Sequence, residues 1–137
     1  MKFIPVFDIK VGQREKKYVN ECLKNSWLGL GYYVNKFENK LSRFLNSKYG
    51  VSTTSGTTAL HLAIEALGIG KSDEVITPTF TMAASSNAII YSGAKPVLID
   101  SELDTWNMDI NKIEEKITEK TKAIMVVHTY GHPVDMD

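Results

Sequence analysis

The chain has 137 residues, 43% of them hydrophobic and 23% charged, enough for a domain with an apolar core. Sixteen basic and sixteen acidic side chains cancel, so no net field draws it to nucleic acid or to a membrane surface. A single cysteine, Cys22, excludes an internal disulfide, and no apolar run is long enough to span a bilayer. The start, Met1 to Asp8, lacks the apolar run and cleavage site of a signal peptide, so the expected location is the cytoplasm.

Taken in order, residues 1–11 read as extended, anchored by Phe3, Ile4, Val6 and Phe7 around Pro5. A charged helix from Gln13 to Asn25 then places Tyr18, Val19, Cys22 and Leu23 on one face. That apolar setting makes Cys22 a core residue, not a nucleophile. Ser26 to Tyr33 is a glycine-punctuated loop dense in aromatics. Trp27, Gly29 and Tyr32 in such a loop can meet a ligand, or can close over a core or a subunit interface; the residues alone favour closure. Val34, Phe37, Leu41, Phe44 and Leu45 step by three and four and predict a second amphipathic helix to about Asn46.

The most informative stretch follows. Val51 and its neighbours end a strand, Thr54, Ser55 and Gly56 turn, and Thr57 opens a helix carrying Leu60, Ala63, Ile64 and Leu67. A helix start has unpaired N–H groups and the positive end of the macrodipole, so it favours anions. Ser55, Gly56, Thr57 and Thr58 add hydroxyls and one residue with no side chain to obstruct an oxyanion, which is the chemistry of a phosphate cup. Ordinary capping uses the same residue types, and both readings stay open here.

Beyond it, Gly68 and Gly70 end the helix, and Glu74 to Thr77 form a strand stopped by Pro78. Met82 to Ser92 is helical, Lys95 to Ile99 is a strand, and Asp109 caps a helix with Ile110, Ile113 and Ile117 on one side. Ala123 to Val127 is a last, nearly all-apolar strand. Strands alternating with helices, and apolar on both faces, predict an α/β fold with a mostly parallel sheet flanked by helices. Ligands in such sheets gather where strands end.

Other motifs fail. Gly68-Ile-Gly-Lys-Ser72 lacks the earlier glycine of a P-loop, because Glu65 stands there, and the segment closes a helix. Gly29-Leu-Gly31 has Val34 where a dinucleotide fingerprint needs glycine. His128, His132, Asp135 and Asp137 crowd together, but no metal-ligand spacing supports them, and no metal is expected. His61 sits inside a helix with no motif around it. None of fourteen lysines is singled out as a Schiff-base former.

Ten segments in order resemble the pyridoxal-phosphate sugar aminotransferases of the DegT/DnrJ/StrS group, nearest its perosamine-forming members. They are Tyr18 to Leu23, Ser26-Trp27, Phe37-Glu38, Ser55 to Ala63, Gly68-Ile-Gly70, Asp73 to Pro78, Ala94 to Val97, Thr105-Trp-Asn-Met-Asp109, Lys120 to Met125 and His128-Thr-Tyr-Gly-His-Pro133. The resemblance covers the whole chain. It implies an aspartate-aminotransferase-like fold (PLP fold type I), a homodimer, and transfer of an amino group, usually from glutamate, to a 4-keto-6-deoxy nucleotide sugar. It also implies that Gly56, Thr57 and Thr58 hold the phosphate of pyridoxal 5′-phosphate.

Two departures accompany the likeness. Met82 stands where the family usually offers an aromatic ring to the cofactor, with Phe80 as the nearby substitute. The Schiff-base lysine, the aspartate that pairs with the pyridine nitrogen and a phosphate-site serine are expected beyond Asp137; Asp135 and Asp137 lie too early to be that aspartate. Residues 1–137 are accordingly read as an N-terminal segment plus the first part of the large domain, incomplete at the C-terminus and inactive alone. The competing expectation is a non-catalytic remnant or interaction module keeping half of the fold.

Overall fold

The computed structural model describes residues 3–5, 7–29 and 31–136. Val6 and Asp137, which figured in the expectations above, lie outside them. The chain divides into two compact units, Met1–Ser52 and Thr53–Asp137.

The first unit carries two helices, α1 (Gln13–Lys24) and α2 (Tyr32–Phe44). Both fall where the three-and-four spacing puts them, but their apolar faces are not buried. Val19 and Leu23 are exposed, Cys22 is half-buried, and Ser42 is the buried residue of α2. The expected anchoring of the N-terminal strand fails for the same reason: Phe3, Ile4 and Phe7 are exposed. One polar tie closes the unit. Glu38 accepts hydrogen bonds from the amide and hydroxyl of Ser52, each at 2.8 Å. Those bonds, the amide first, hold its carboxyl below the ordinary range.

The second unit is a parallel sheet with helices. Helix α3 (Gly56–Ala66) leads to β1 (Glu74–Pro78), then α4 (Ala84–Tyr91), β2 (Lys95–Ile99) and β3 (Thr121–Ile124). The sheet order is β2-β1-β3, parallel throughout. All five residues of central β1 are buried. Alternation along the strand sends Val75 into a cluster with Ile64, Ile69, Ala88, Ile89 and Ala94, and Ile76 into a second cluster with Ile99 and Met108. A strand covered on both faces is the buried parallel type that its apolar run predicted.

Helices α3 and α4 end alike. Gly68 (φ +69°) and Gly93 (φ +85°) adopt the left-handed conformation that favours glycine. The N–H of the next residue then reaches back, Ile69 to Ile64 (3.3 Å) and Ala94 to Ile89 (3.2 Å). These are Schellman closures, and their apolar pairs all belong to the first core cluster. Each hands the chain into the strand that follows.

Three expected elements differ. No strand precedes α3: residues 51–54 are irregular and Val51 is exposed, with no neighbouring strand to pair it. The helix expected after Asp109 is two 3-10 turns, Ile110–Lys112 and Glu114–Lys116, because an i, i+3 apolar spacing suits a three-residue turn as well. Strand β3 starts earlier and stops at Ile124 instead of Val127. Ile76 accepts from the Met125 amide at 2.7 Å, and the next residue of β1 facing β3 is Pro78, which has no N–H to continue the ladder.

Candidate functional site

Ser55 is the N-cap of α3, with extended backbone, and its hydroxyl accepts from the Thr58 amide at 3.3 Å. Thr58 answers: its hydroxyl accepts from the Ser55 amide (3.1 Å) and donates to the Ser55 carbonyl (2.8 Å). This is a capping box with threonine in the usual Glu/Gln place. Thr58 is committed to shaping the turn, while the N–H groups of Gly56 and Thr57 meet no acceptor among the described residues.

A Cβ added at Gly56 would touch nothing within 4 Å, and its φ is not left-handed. The glycine is therefore not required by the backbone; it leaves the approach to two unpaired amides clear. A phosphate group fits that arrangement, since it brings acceptors to the positive end of an eleven-residue helix.

Met82 lies just before α4 and is 79% exposed, against 42% for Phe80. Its carbonyl accepts from the Ser85 amide (3.0 Å), and the hydroxyls of Thr81 and Ser85 are 2.9 Å apart, fixing the entry to the helix. Met82 and Phe80 line one cavity of about 190 Å³ with Val127, Thr129 and Tyr130.

The loops beyond the three strands meet in an arrangement that residue patterns did not reveal. Phe80 follows β1, Trp106 follows β2 and Tyr130 follows β3. The Phe80 ring centroid lies 5.9 Å from that of Trp106 and 6.4 Å from that of Tyr130. They face a cavity of about 550 Å³ with Asp104, Thr129 and His132. Trp106 (φ +62°) and Tyr130 (φ +51°) both hold left-handed backbone, costly for bulky side chains. Buried Asn107 holds the two loops together. Its amide nitrogen donates to the carbonyls of His132 (3.2 Å) and Pro133 (3.1 Å), and its oxygen accepts from the Thr129 amide (3.1 Å). The sequence signal available was the polar Asn107 between Trp106 and Met108, which by itself names no partner.

In the first unit, Trp27 and Tyr32 join a ring cluster with Tyr18 and Tyr33; Trp27 lies 5.7 Å from Tyr32, and Tyr33 lies 5.0 Å from Tyr18. Lys36 Nζ stands 5.0 Å from the Tyr32 centroid, a cation–π contact, and the Tyr32 hydroxyl raises its ammonium above the usual range. Tyr33 donates to Glu21, which pushes its own pKa up to about 12. Gly29 has open space around it.

No group of three or more metal-ligating side chains comes together among the described residues. His128 Nδ1 accepts from the Val134 amide at 3.1 Å, a structural use, and His61 pairs with Glu65 at 3.2 Å on the surface of α3. Among the described residues no helix is long and apolar enough to cross a membrane.

A parallel sheet flanked by helices, with an unpaired helix start and aromatic loops at its strand ends, places the second unit among α/β proteins. The DegT/DnrJ/EryC1/StrS aminotransferase family matches residues 10–137, and the chain belongs to that family. It is 53% identical to a GDP-perosamine synthase of Escherichia coli O157:H7, over all of this chain and 38% of that one. It is 44% identical to the dTDP-3-amino-3,6-dideoxy-alpha-D-galactopyranose transaminase of Aneurinibacillus thermoaerophilus, over 98% of this chain and 38% of that one. Among solved structures, a Streptococcus pneumoniae protein described as a sugar aminotransferase, in its PLP form, superposes with a TM-score of 0.88 at 36% identity. That match covers 96% of this chain and 34% of the other. The chain thus spans well under half of the relatives it matches, and the α/β fold expected from its patterning is the fold they share.

Proposed function

We infer that this chain forms the cofactor-phosphate end of a PLP-dependent sugar aminotransferase acting on a 4-keto-6-deoxy nucleotide sugar, with glutamate as amino donor. The observation that carries the reading is the start of α3, where two unpaired amides and an open glycine lie within a segment matching the family. Gly56 and Thr57 bind the phosphate through their N–H groups, and Thr58 holds the turn that presents them. Met82 lies against the face of the pyridine ring, a thioether where a flat ring would stack. Trp27, Gly29 and Tyr32 approach the substrate or a partner subunit of a cytoplasmic homodimer. Pyridoxal phosphate, when bound, supplies the electron sink that lets an amino group pass from donor to acceptor.

Three lysines are poorly suited to the covalent role. Lys95 pairs with Glu74 at 3.1 Å, Lys112 with Asp109 at 3.3 Å, and the Lys36 ammonium is raised, the opposite of what a nucleophilic amine needs. On this reading residues 1–137 form an N-terminal segment plus the first part of the large domain, and further polypeptide supplies the lysine that amino transfer needs. A second reading, a non-catalytic interaction module, is favoured by the exposed apolar side chains of α2, Phe37 and Phe44 among them.

Equilibrium dialysis of pyridoxal phosphate against the chain and its Gly56→Val variant tests the first reading. Branched carbons in the approach to the amides are expected to weaken binding at least tenfold with folding unchanged. Equal affinity in a folded variant refutes the phosphate assignment. Amino transfer by the chain alone refutes the assignment of an external lysine.

A further inference from the structure

We propose that His128 is a pH-sensitive latch: its neutral ring closes the loop over residues 128–134, beyond β3, and protonation of the ring releases it. The proposal rests on bonds within this loop and does not depend on the aminotransferase reading.

The loop is tightly wound and strained. The Gly131 amide donates to the His128 carbonyl (2.9 Å) and the His132 amide to the Thr129 carbonyl (3.0 Å). At the tip, Tyr130 (φ +51°) holds left-handed backbone without the freedom of a glycine, and Gly131 (φ +83°) follows. Such backbone persists only where the surroundings fix it. Two side chains do so. Asn107, from the loop after β2, bonds the Thr129 amide and the His132 and Pro133 carbonyls. His128, at the start of the turn, reaches across it, and its Nδ1 accepts from the Val134 amide at 3.1 Å. Val134 is 5% exposed, so water is poorly placed to replace that acceptor.

Of these two side chains, only His128 can change state. The Asn107 amide does not titrate. A neutral imidazole carries one proton, and Nδ1 can accept only while that proton sits on Nε2. A second proton turns Nδ1 into a donor that faces the Val134 N–H, and the bond is lost. Histidine as a residue type changes charge between about pH 5 and 8, so the latch is closed on the alkaline side and opens as pH falls. The charged and titratable groups that neighbouring segments bring to this loop are Glu102, Asp104 and Asp109 after β2, and Tyr130, His132 and Asp135 within it. Among them His132 is the second histidine, and the test separates it from His128. The loop also carries Thr129 and Tyr130, which line the cavity of about 190 Å³ with Phe80 and Met82, so the latch sets the shape of that cavity.

The test is amide hydrogen exchange of the full 137-residue chain at about pH 8 and about pH 5.5, each rate divided by that of an unstructured peptide at the same pH. Protection of the Val134 amide is expected to fall by about tenfold on acidification, the scale of one buried bond lost. Protection of Ile76 in central β1 should not change, and an equal loss there marks global unfolding and overturns the latch. His128→Asn sets a carbonyl oxygen in the place of Nδ1 without a titrating group, so Val134 should stay protected at both pH values. His128→Ala should leave it unprotected at both. His132→Gln should keep the wild-type pH dependence. Where a variant fails to fold, nitrogen NMR of the wild-type His128 ring decides, with the neutral ring expected to carry its proton on Nε2. A neutral ring protonated on Nδ1, equal Val134 protection at both pH values, protection surviving His128→Ala, or a pH dependence kept by His128→Asn or lost in His132→Gln overturns the proposal.

Discussion

Removing the Asn107 side chain is the sharpest test of how the strand-end loops are held. Asn107 is 2% exposed and makes three hydrogen bonds to loop backbone, one accepted and two donated. In Asn107→Ala the Thr129 N–H and the His132 and Pro133 carbonyls lose their partner together. At about 1 kcal/mol net for each bond, rising where a group stays buried and dry, the loss is about 2–4 kcal/mol. That is a large fraction of the 5–15 kcal/mol that holds a typical domain together. Asn107→Asp discriminates further. It keeps an acceptor for Thr129 but sets a carboxylate against two carbonyl oxygens, so at neutral pH it should cost at least as much as alanine. The repulsion raises the folded pKa of the new carboxyl. Its penalty should therefore shrink as pH falls through that value, when the protonated group can donate again. Urea denaturation at pH 7 and pH 5 measures both. A loss below about 1 kcal/mol for alanine, or an aspartate variant milder than alanine at pH 7, refutes the account.

Other expectations follow from single contacts. Ile89 is fully buried between α4 and the sheet, so Ile89→Ala should cost about 2–5 kcal/mol in urea denaturation, and a change under 1 kcal/mol would show the site collapses or is not core. Ser55→Ala removes the acceptor for the Thr58 amide and half of the capping box, and should destabilise by about 0.5–2 kcal/mol; no change would deny the cap any weight. The Glu74 carboxyl is held below its ordinary value by the Thr118 hydroxyl (2.8 Å) and then by Lys95 (3.1 Å). Its stabilisation is present in full above the unfolded carboxylate value, about 4.3, and is lost as pH falls through the lower folded value. The melting-temperature gap between the wild type and Glu74→Gln should close on acidification below pH 4, and a gap constant with pH would contradict it.

How much of this was legible in the sequence depends on the range of the interactions involved. α1, α2, α3, β1, α4 and β2 were readable because their determinants are local: three-and-four apolar spacing, Gly68 after a helix, and apolar runs before Pro78 and Asp100. β3 was misplaced because its end is set on another strand, by the missing N–H of Pro78 in β1. The turn at Ser55–Thr58 was legible as a helix start, but not the division of labour within it. That Thr58 spends its hydroxyl on the cap, while the Gly56 and Thr57 amides stay unpaired among the described residues, follows from distances. The grouping of aromatic rings at the strand ends was not legible at all: Phe80, Trp106 and Tyr130 are separated by more than twenty residues each, and parallel strand order brings their loops to one edge.

Glycine illustrates why residue type alone underdetermines role in this chain. Gly68 and Gly93 are required by backbone geometry, since each carries a left-handed φ that closes a helix. Gly56 carries none, and a methyl group there would meet nothing within 4 Å beyond its own turn among the described residues, so no contact in this segment demands glycine there. At the first position of a helix, glycine also sacrifices backbone entropy that alanine would save. A residue that no contact in this segment requires, placed beside two unpaired amides, leaves room for an anion at the proposed site. That asymmetry, and not the mere presence of Ser, Gly and Thr, is what turns an ordinary helix cap into the candidate anchor for a phosphate group.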